Sequence, residues 1–398
     1  MRVATHSAWH HRRMKSDFTL PPEQTWLNSA YLGPLPRVVQ EAGEQALRRR
    51  AEPWTLTPPD FFEPAERTRQ RCAQLVNADP ERTAFITSVA SGMAVVARHL
   101  TPRPGQNVVL LGEQFPSNVY PWFRWREAGT ELRFVPAPMA ASCDPAQLRA
   151  RALQWNATLL DAIDADTAMV SVEQAHWTDG TLFDLAAIGR RCREVGSAFV
   201  IDGTQTIGAM ALDVAVIQPD ALIVHSYKAG LSNYGLGFAV LGPRFDGAVP
   251  NEESWLLREG SENFAGLVAY QSRYAAGMRR HDTSVRVNPI LIAMLEAACT
   301  LLLQWQPAAT RAHLLALARP AVQQLREAGF GVADEDLRAA NLFGVALPAG
   351  MAPEAVRLAL AARQIHVSVR GAAVRVSPHR HNDEADLLRF AEALIALR

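Results

Sequence analysis

Four cysteines in 398 residues leave little room for disulfide or metal chemistry. Cys72, Cys143, Cys192 and Cys299 form no Cys-x-x-Cys pair, and a chain of this length needs no covalent staples. They are expected as free thiols in a reducing cytoplasm, and no metal site is expected. Long apolar runs are also missing: no stretch of ~18 apolar residues marks a membrane span. Residues 1–15 are basic and His-rich and carry no apolar core of a signal peptide. Net charge is absent, with 40 Lys and Arg against 40 Asp and Glu. That balance argues against a nucleic-acid or anionic-membrane surface. There is no internal repeat and no low-complexity linker. The Gly-x-Gly-x-x-Gly of a dinucleotide site does not follow the first strand either.

Apolar residues are plentiful at 48%, enough for a large core. At roughly 150 residues per domain the length suits two domains. A strand within 25–36 ends in a Gly33-Pro34 turn. Short β-prone runs then occur at 83–87, 108–111, 132–135, 169–172, 198–201, 221–224 and 237–241. Helical patterns at 37–50, 60–76, 93–100 and 185–195 lie between them. Such alternation predicts an α/β fold with a mostly parallel, doubly wound sheet. After about residue 251 the texture changes. Helices fit 288–306 and 311–328, and strands fit 342–347, 366–370 and 374–377. A last helix fits 383–397, with Asn382 as N-cap and acids in its first turn. The expected division is an N-terminal segment 1–30 on the small domain, a large domain 31–265, and a connection plus smaller α+β domain 266–398.

Asp202 and Lys228 carry the chemistry. Asp202 closes the run Ala198-Phe199-Val200-Ile201, and Lys228 follows Ala221-Leu222-Ile223-Val224 within His225-Ser226-Tyr227-Lys228. Each run reads as a buried parallel strand, so each polar group stands where such a strand ends. Ligands of open α/β sheets bind at that edge. An amine and a carboxylate delivered there suit pyridoxal phosphate (PLP), which takes a lysine as a Schiff base and an acid at its pyridine nitrogen.

The stretch Ile201-Asp202-Gly203-Thr204-Gln205-Thr206-Ile207-Gly208-Ala209, then Tyr227-Lys228, then Tyr234-Gly235-Leu236-Gly237-Phe238 resembles the class V, fold-type-I PLP enzymes. That family includes aminotransferases, cysteine desulfurases, kynureninases and isopenicillin-N-epimerase-like proteins. The resemblance runs from about Trp26 to Asn382. It implies Lys228 as cofactor anchor and base, Asp202 at the pyridine nitrogen, and Gln205 on the phenolic oxygen. It implies a phosphate turn at Ser88, Val89, Ala90 and Ser91 opening a helix, with His225 and Tyr227 as further phosphate contacts. Small residues there let free N–H groups approach an anion. Ala90 stands where relatives carry a Thr. Phe115 matches a ring-stacking position that is His in desulfurases and Phe in kynureninase-like members, and Trp177 matches a pocket-wall aromatic. Arg375 matches the arginine that grips the substrate carboxylate, a task its planar fork suits. Arg370 is a second anion contact or an ion-pair partner, and Asn28 and Tyr31 match the pocket-lining N-terminal segment. Ser284 or Arg286 is the expected reach to a partner subunit's phosphate in a homodimer with active sites at the interface.

Desulfurases place a nucleophilic Cys on a loop before the carboxylate arginine; here 358–364 has none. Desulfuration through a protein persulfide is therefore not expected. The expected function is PLP-dependent chemistry on a small amino acid or amine, foremost as an aminotransferase. A lyase, by C–S or kynureninase-like C–C cleavage, or an epimerase is the alternative, and a non-catalytic PLP-fold protein is the outside one.

Overall fold

The computed structural model describes residues 15–138 and 142–398. Residues 1–14 of the expected N-terminal segment lie outside that description. In chain order the elements are β1 (Thr25–Trp26), α1 (Arg37–Arg50), α2 (Glu63–Leu75), β2 (Thr83–Ile86), α3 (Val89–His99), β3 (Asn107–Leu111), α4 (Phe123–Glu127) and β4 (Glu131–Val135). There follow α5 (Pro145–Asp161), β5 (Thr167–Glu173), α6 (Leu185–Val195), β6 (Ala198–Asp202), α7 (Val214–Ile217), β7 (Ala221–His225), β8 (Gly237–Leu241), α8 (Pro289–Trp305) and α9 (Pro307–Glu327). The chain closes with β9 (Gly331–Val332), β10 (Phe343–Ala346), α10 (Pro353–Ala361), β11 (Ile365–His366), β12 (Ser368–Arg370), β13 (Ala373–Val376) and α11 (Glu384–Ile395).

Seven strands form the main sheet in the order β2-β8-β7-β6-β5-β3-β4. The run from β7 to β4 is parallel, while β8 is antiparallel to both of its neighbours. The strand period of two divides the apolar residues between the faces. Val109, Val170, Phe199, Ile201 and Leu222 pack on one side with α5, α6 and α8. Val108, Leu110, Met169, Val200 and Ile223 pack on the other with α3, Trp122 and Trp125. Both faces are covered, which is why these strands read as continuous apolar runs. A four-stranded antiparallel sheet, β12-β13-β10-β9, has its own core with α9, α10 and α11. Leu27 joins that core, and β1 pairs with β11. Helix α8 packs instead into the first core, and the chain turns at Gln306 with φ +59°. Among the described residues no single helix is long and apolar enough to cross a membrane.

Local chemistry explains the element ends. Asp184 caps α6 by accepting from the Ala187 N–H, and Gly196 ends it at φ 77°. Pro307 starts α9 earlier than the expected 311, since a first-turn proline gives up no hydrogen bond. The N-cap of α11 is Asp383, not Asn382: the Asp383 carboxylate accepts from Asp386 N–H, while the Asn382 amide donates to the Trp26 carbonyl. Helix α5, not anticipated from the sequence, starts after the capping Asp144 and buries Leu148, Ala152, Trp155 and Leu159.

Candidate active site

Three parallel strands end in polar residues: Glu173 on β5, Asp202 on β6 and His225 on β7. The register puts Glu173 directly beside Asp202. Lys228 follows β7 on a tight loop, where Gly33 N–H donates to the Tyr227 carbonyl at 2.9 Å. A Cβ on Gly33 would lie 2.1 Å from the Lys228 carbonyl oxygen, so the N-terminal segment reaches this loop only as glycine. Burying so many polar groups costs free energy. The apolar strands beneath them offset it, at about 1.5–3 kcal/mol per buried Val or Leu side chain.

One cavity is lined by Ser88, Val89, Phe115, Ser117, Glu173, Trp177, Asp202, Thr204, Gln205, His225, Tyr227, Lys228 and Tyr234. Lys228 is 5% exposed and its Nζ sits 4.8 Å from the Phe115 ring centroid. Burial brings its amine down to about 8, against the pull of Asp202 and Glu173 and with the push of Arg375 and Arg370. Burial raises the Asp202 carboxyl above its ordinary range, while Thr204, whose N–H donates to Oδ1 at 3.0 Å, holds it down. Both polar atoms of the Gln205 amide are buried without a partner among the described residues. His225 Nε2 lies 3.1 Å from the Thr87 carbonyl, Nδ1 has no partner among the described residues, and burial lowers the ring to about 4, so it is neutral near pH 7. The rings of Tyr227 and Tyr234 pack beside it, tilted by 50° with centroids 4.4 Å apart.

The turn at the start of α3 is a capping box. Ser88 Oγ accepts from Ser91 N–H at 3.0 Å, and Ser91 Oγ donates back to the Ser88 carbonyl at 2.8 Å. Ser91's hydroxyl is therefore committed to the helix, and Ala90 faces outward. Ser88 and Val89 are the residues of this turn that line the cavity.

Sequence reasoning missed Glu173. Its Oε1 accepts from Phe115 N–H at 3.1 Å and its Oε2 from Trp177 N–H at 2.8 Å. One carboxyl thus fixes both aromatic walls, whose rings meet edge to face at 5.4 Å. Burial, reinforced by Asp202, pushes it up to about 8. The signal that picks out Asp202, an acid closing an apolar run, is also present here. Ser117, Thr204 and Tyr234 carry no comparable mark.

Arg375 comes from β13, opposite Gly344 and Ser368. It donates to the Trp177 carbonyl at 2.9 Å, and burial with Arg370 nearby lowers it to about 9. Asn28, Tyr31 and Arg370 line a neighbouring open groove rather than the cavity itself. Arg286 does not reach outward as expected: it is buried and ion-paired with Asp282 at 3.1 Å. Ser284 Oγ donates to Glu252 at 2.6 Å. The four cysteines are free thiols.

A model of the family described as aminotransferase class-V matches residues 57–393. The chain belongs to the class-V aminotransferase family. It is 31% identical to a probable cysteine desulfurase of Methanothermobacter thermautotrophicus over 173 residues, a match that covers 44% of this chain and 40% of that protein. It thus spans less than half the length of that relative. It is 24% identical to the uncharacterized aminotransferase YcbU of Bacillus subtilis over 371 residues, 92% of each. The apo structure of a cysteine desulfurase from Thermococcus onnurineus NA1 superposes with a TM-score of 0.77 at 17% identity, covering 100% of this chain and 98% of that one. The shared architecture is the α/β fold of fold type I.

Proposed function

We propose that this protein is a PLP-dependent aminotransferase of an α-amino acid, with Lys228 and Asp202 as its catalytic pair. The observation that carries it is one cavity that gathers the Lys228 amine, the Asp202 carboxyl and the orphaned Gln205 amide. A buried amide without partners costs about 1–3 kcal/mol, which a ligand at that spot recovers. The cofactor fits this donor set. Lys228 would anchor it through Nζ, Asp202 would face its ring nitrogen, and Gln205 would bond its phenolic oxygen. Phe115 would stack on the ring. Ser88 and the first N–H groups of α3 would take its phosphate, with His225 and Tyr227 beside them. Bound there, pyridoxal phosphate supplies the sink for negative charge developing at the substrate's Cα.

The chain's own groups do the rest. Lys228 Nζ, half neutral at about pH 8, takes the α-proton and returns it. Arg375 orients the carboxylate. Phe115 and Trp177 wall off water, and neither can carry a proton, which leaves proton transfer to Lys228. Elimination from the same substrate is the second reading. Glu173 favours it, as a carboxyl that holds its proton near pH 7 beside Lys228.

The substrate is a small amino acid or amine, and the assembly a homodimer. Exposed Val249, Val268 and Tyr270 support the dimer. The two cores support a large domain and a small one, whose own packing begins after Gln306. The test is the visible spectrum of the purified protein and of Lys228→Ala. A wild-type protein with no visible band that borohydride bleaches sinks the cofactor assignment. Amino acids then follow, with and without keto-acid acceptors: transfer consumes one acceptor per keto acid formed, and elimination releases ammonia with none.

A further inference from the structure

Arg370 and Arg375 face the same indole. The Arg370 guanidinium lies 5.1 Å from the Trp177 ring centroid and that of Arg375 lies 5.9 Å from it. Among the described residues neither has an ion-pair partner. Their contacts are neutral: Arg370 Nη1 donates to the Val369 carbonyl, and Arg375 donates to the Trp177 carbonyl and to Ser368 Oγ. The Nε of each is buried with no acceptor among the described residues. Elsewhere buried Arg69 and Arg286 share Asp282 at 2.7 and 3.1 Å, while buried Arg338 bonds, among the described residues, only to the Ala333 and Ala339 carbonyls and lies away from Trp177 on the face of Phe343. A guanidinium removed from water without a counter-charge is costly, and two side by side repel. The carboxyl whose charge bears on Arg375 is that of Glu173, whose oxygens are already bonded to the Phe115 and Trp177 N–H groups.

Their placement is also divided. Arg375 holds the carbonyl of Trp177, a wall of the cavity that holds Lys228, and its charge reaches that amine. Arg370 lines the adjoining open groove with Asn28, Tyr31 and Ser368. There Arg357 is held by Glu354 and is not available. Resting on the amino-acid chemistry proposed at Lys228, we propose that the site selects a substrate with two anionic groups. Arg375 takes the α-carboxylate and Arg370 the carboxylate at the far end of a short side chain. The substrate class is an acidic amino acid and its dicarboxylic keto acid. Trp177, flanked by both cations, sets the spacing between them.

The test is calorimetric titration of the purified holoenzyme with succinate and with butyrate, which differ by one carboxylate. One additional charge-assisted, two-pronged contact predicts roughly tenfold to hundredfold tighter binding of succinate. Arg370→Gln should bring succinate to the butyrate level and leave butyrate within about twofold. Arg375→Gln should weaken both. Equal affinities in the wild type, no measurable binding of either, or an Arg370→Gln variant that still prefers succinate overturns the proposal. Arg370→Lys, which keeps the charge but not the fork, guards against a misfolded glutamine variant and should retain part of the preference. The visible band is read on the same samples. A band without dicarboxylate preference sinks this proposal alone, whereas preference without a band sinks the cofactor assignment alone.

Discussion

Replacing Glu173 with glutamine should change how stability depends on pH. In the folded protein Glu173 is 2% exposed, and burial beside Asp202 pushes it up to about 8. Unfolded, it returns to an ordinary value of about 4.3. Between those values the folded state binds the extra proton, so stability is lost as pH rises, by about 1.4 kcal/mol per pH unit. From pH 5.5 to 7.5 the wild type therefore gives up nearly 3 kcal/mol at this one group, as an upper figure. For a chain of this size that is about 3 °C in melting temperature. Glutamine has one acceptor for two donors, the N–H groups of Phe115 and Trp177. The variant thus carries a roughly constant penalty of about 1–3 kcal/mol. Buried His225, His281, His379 and His381, all lowered, pull the other way below pH 6.5, but equally in both proteins. The assay is the melting temperature of cofactor-free wild type and Glu173→Gln at one scan rate, from pH 5.5 to 8.5. The variant should start lower, close the gap by about 3 °C towards pH 7.5, and run parallel above pH 8. A gap that stays constant across this range means Glu173 titrates normally, and the account of a proton held in the site is wrong.

Two further outcomes are expected. Gly33→Ala forces a methyl against the Lys228 carbonyl at 2.1 Å. It should cost about 1–3 kcal/mol and loosen the cofactor; an unchanged melting temperature and visible band after dialysis would show that this segment does not brace the lysine loop. Cysteine with an added thiol should yield no catalytic sulfide, because residues 358–364 are the end of α10 and a turn without a Cys; multiple turnovers in a sulfide assay would refute that.

The cavity shows which signals a sequence transmits. Asp202 and Lys228 are legible because a buried parallel strand is a short apolar run, and a polar residue at its end has one place to go. Gln205, Phe115, Tyr227 and Trp177 also lie in loops after such strands, His225 ends one, and all of them line the cavity. Glu173 is written in the same way, as the residue that ends β5. Orientation is not written: β8 is as apolar as its parallel neighbours yet runs against them. Helix α5 is legible in principle, from its Asp-Pro start and its buried stripe.

Other features depend on contacts far along the chain. Asp282, four residues before Arg286, turns it inward, but Asp282 is itself held inside by Arg69, some two hundred residues earlier, and the 280–288 segment alone does not show that. Asn382 and Asp383 are equal candidates for a cap, and the choice falls to Asp383 because the Trp26 carbonyl claims the Asn382 amide. The arginine pair is the strongest case. Arg375 is placed by strand register against Gly344 and Ser368, and Arg370 by the hairpin it shares with Arg375. Both then meet an indole that comes from the end of β5, some two hundred residues earlier, and that is pinned there by Glu173. The sheet edge therefore builds the proposed cofactor site from local sequence. The groups that would choose the substrate are assembled across the two cores, where only the fold brings them together.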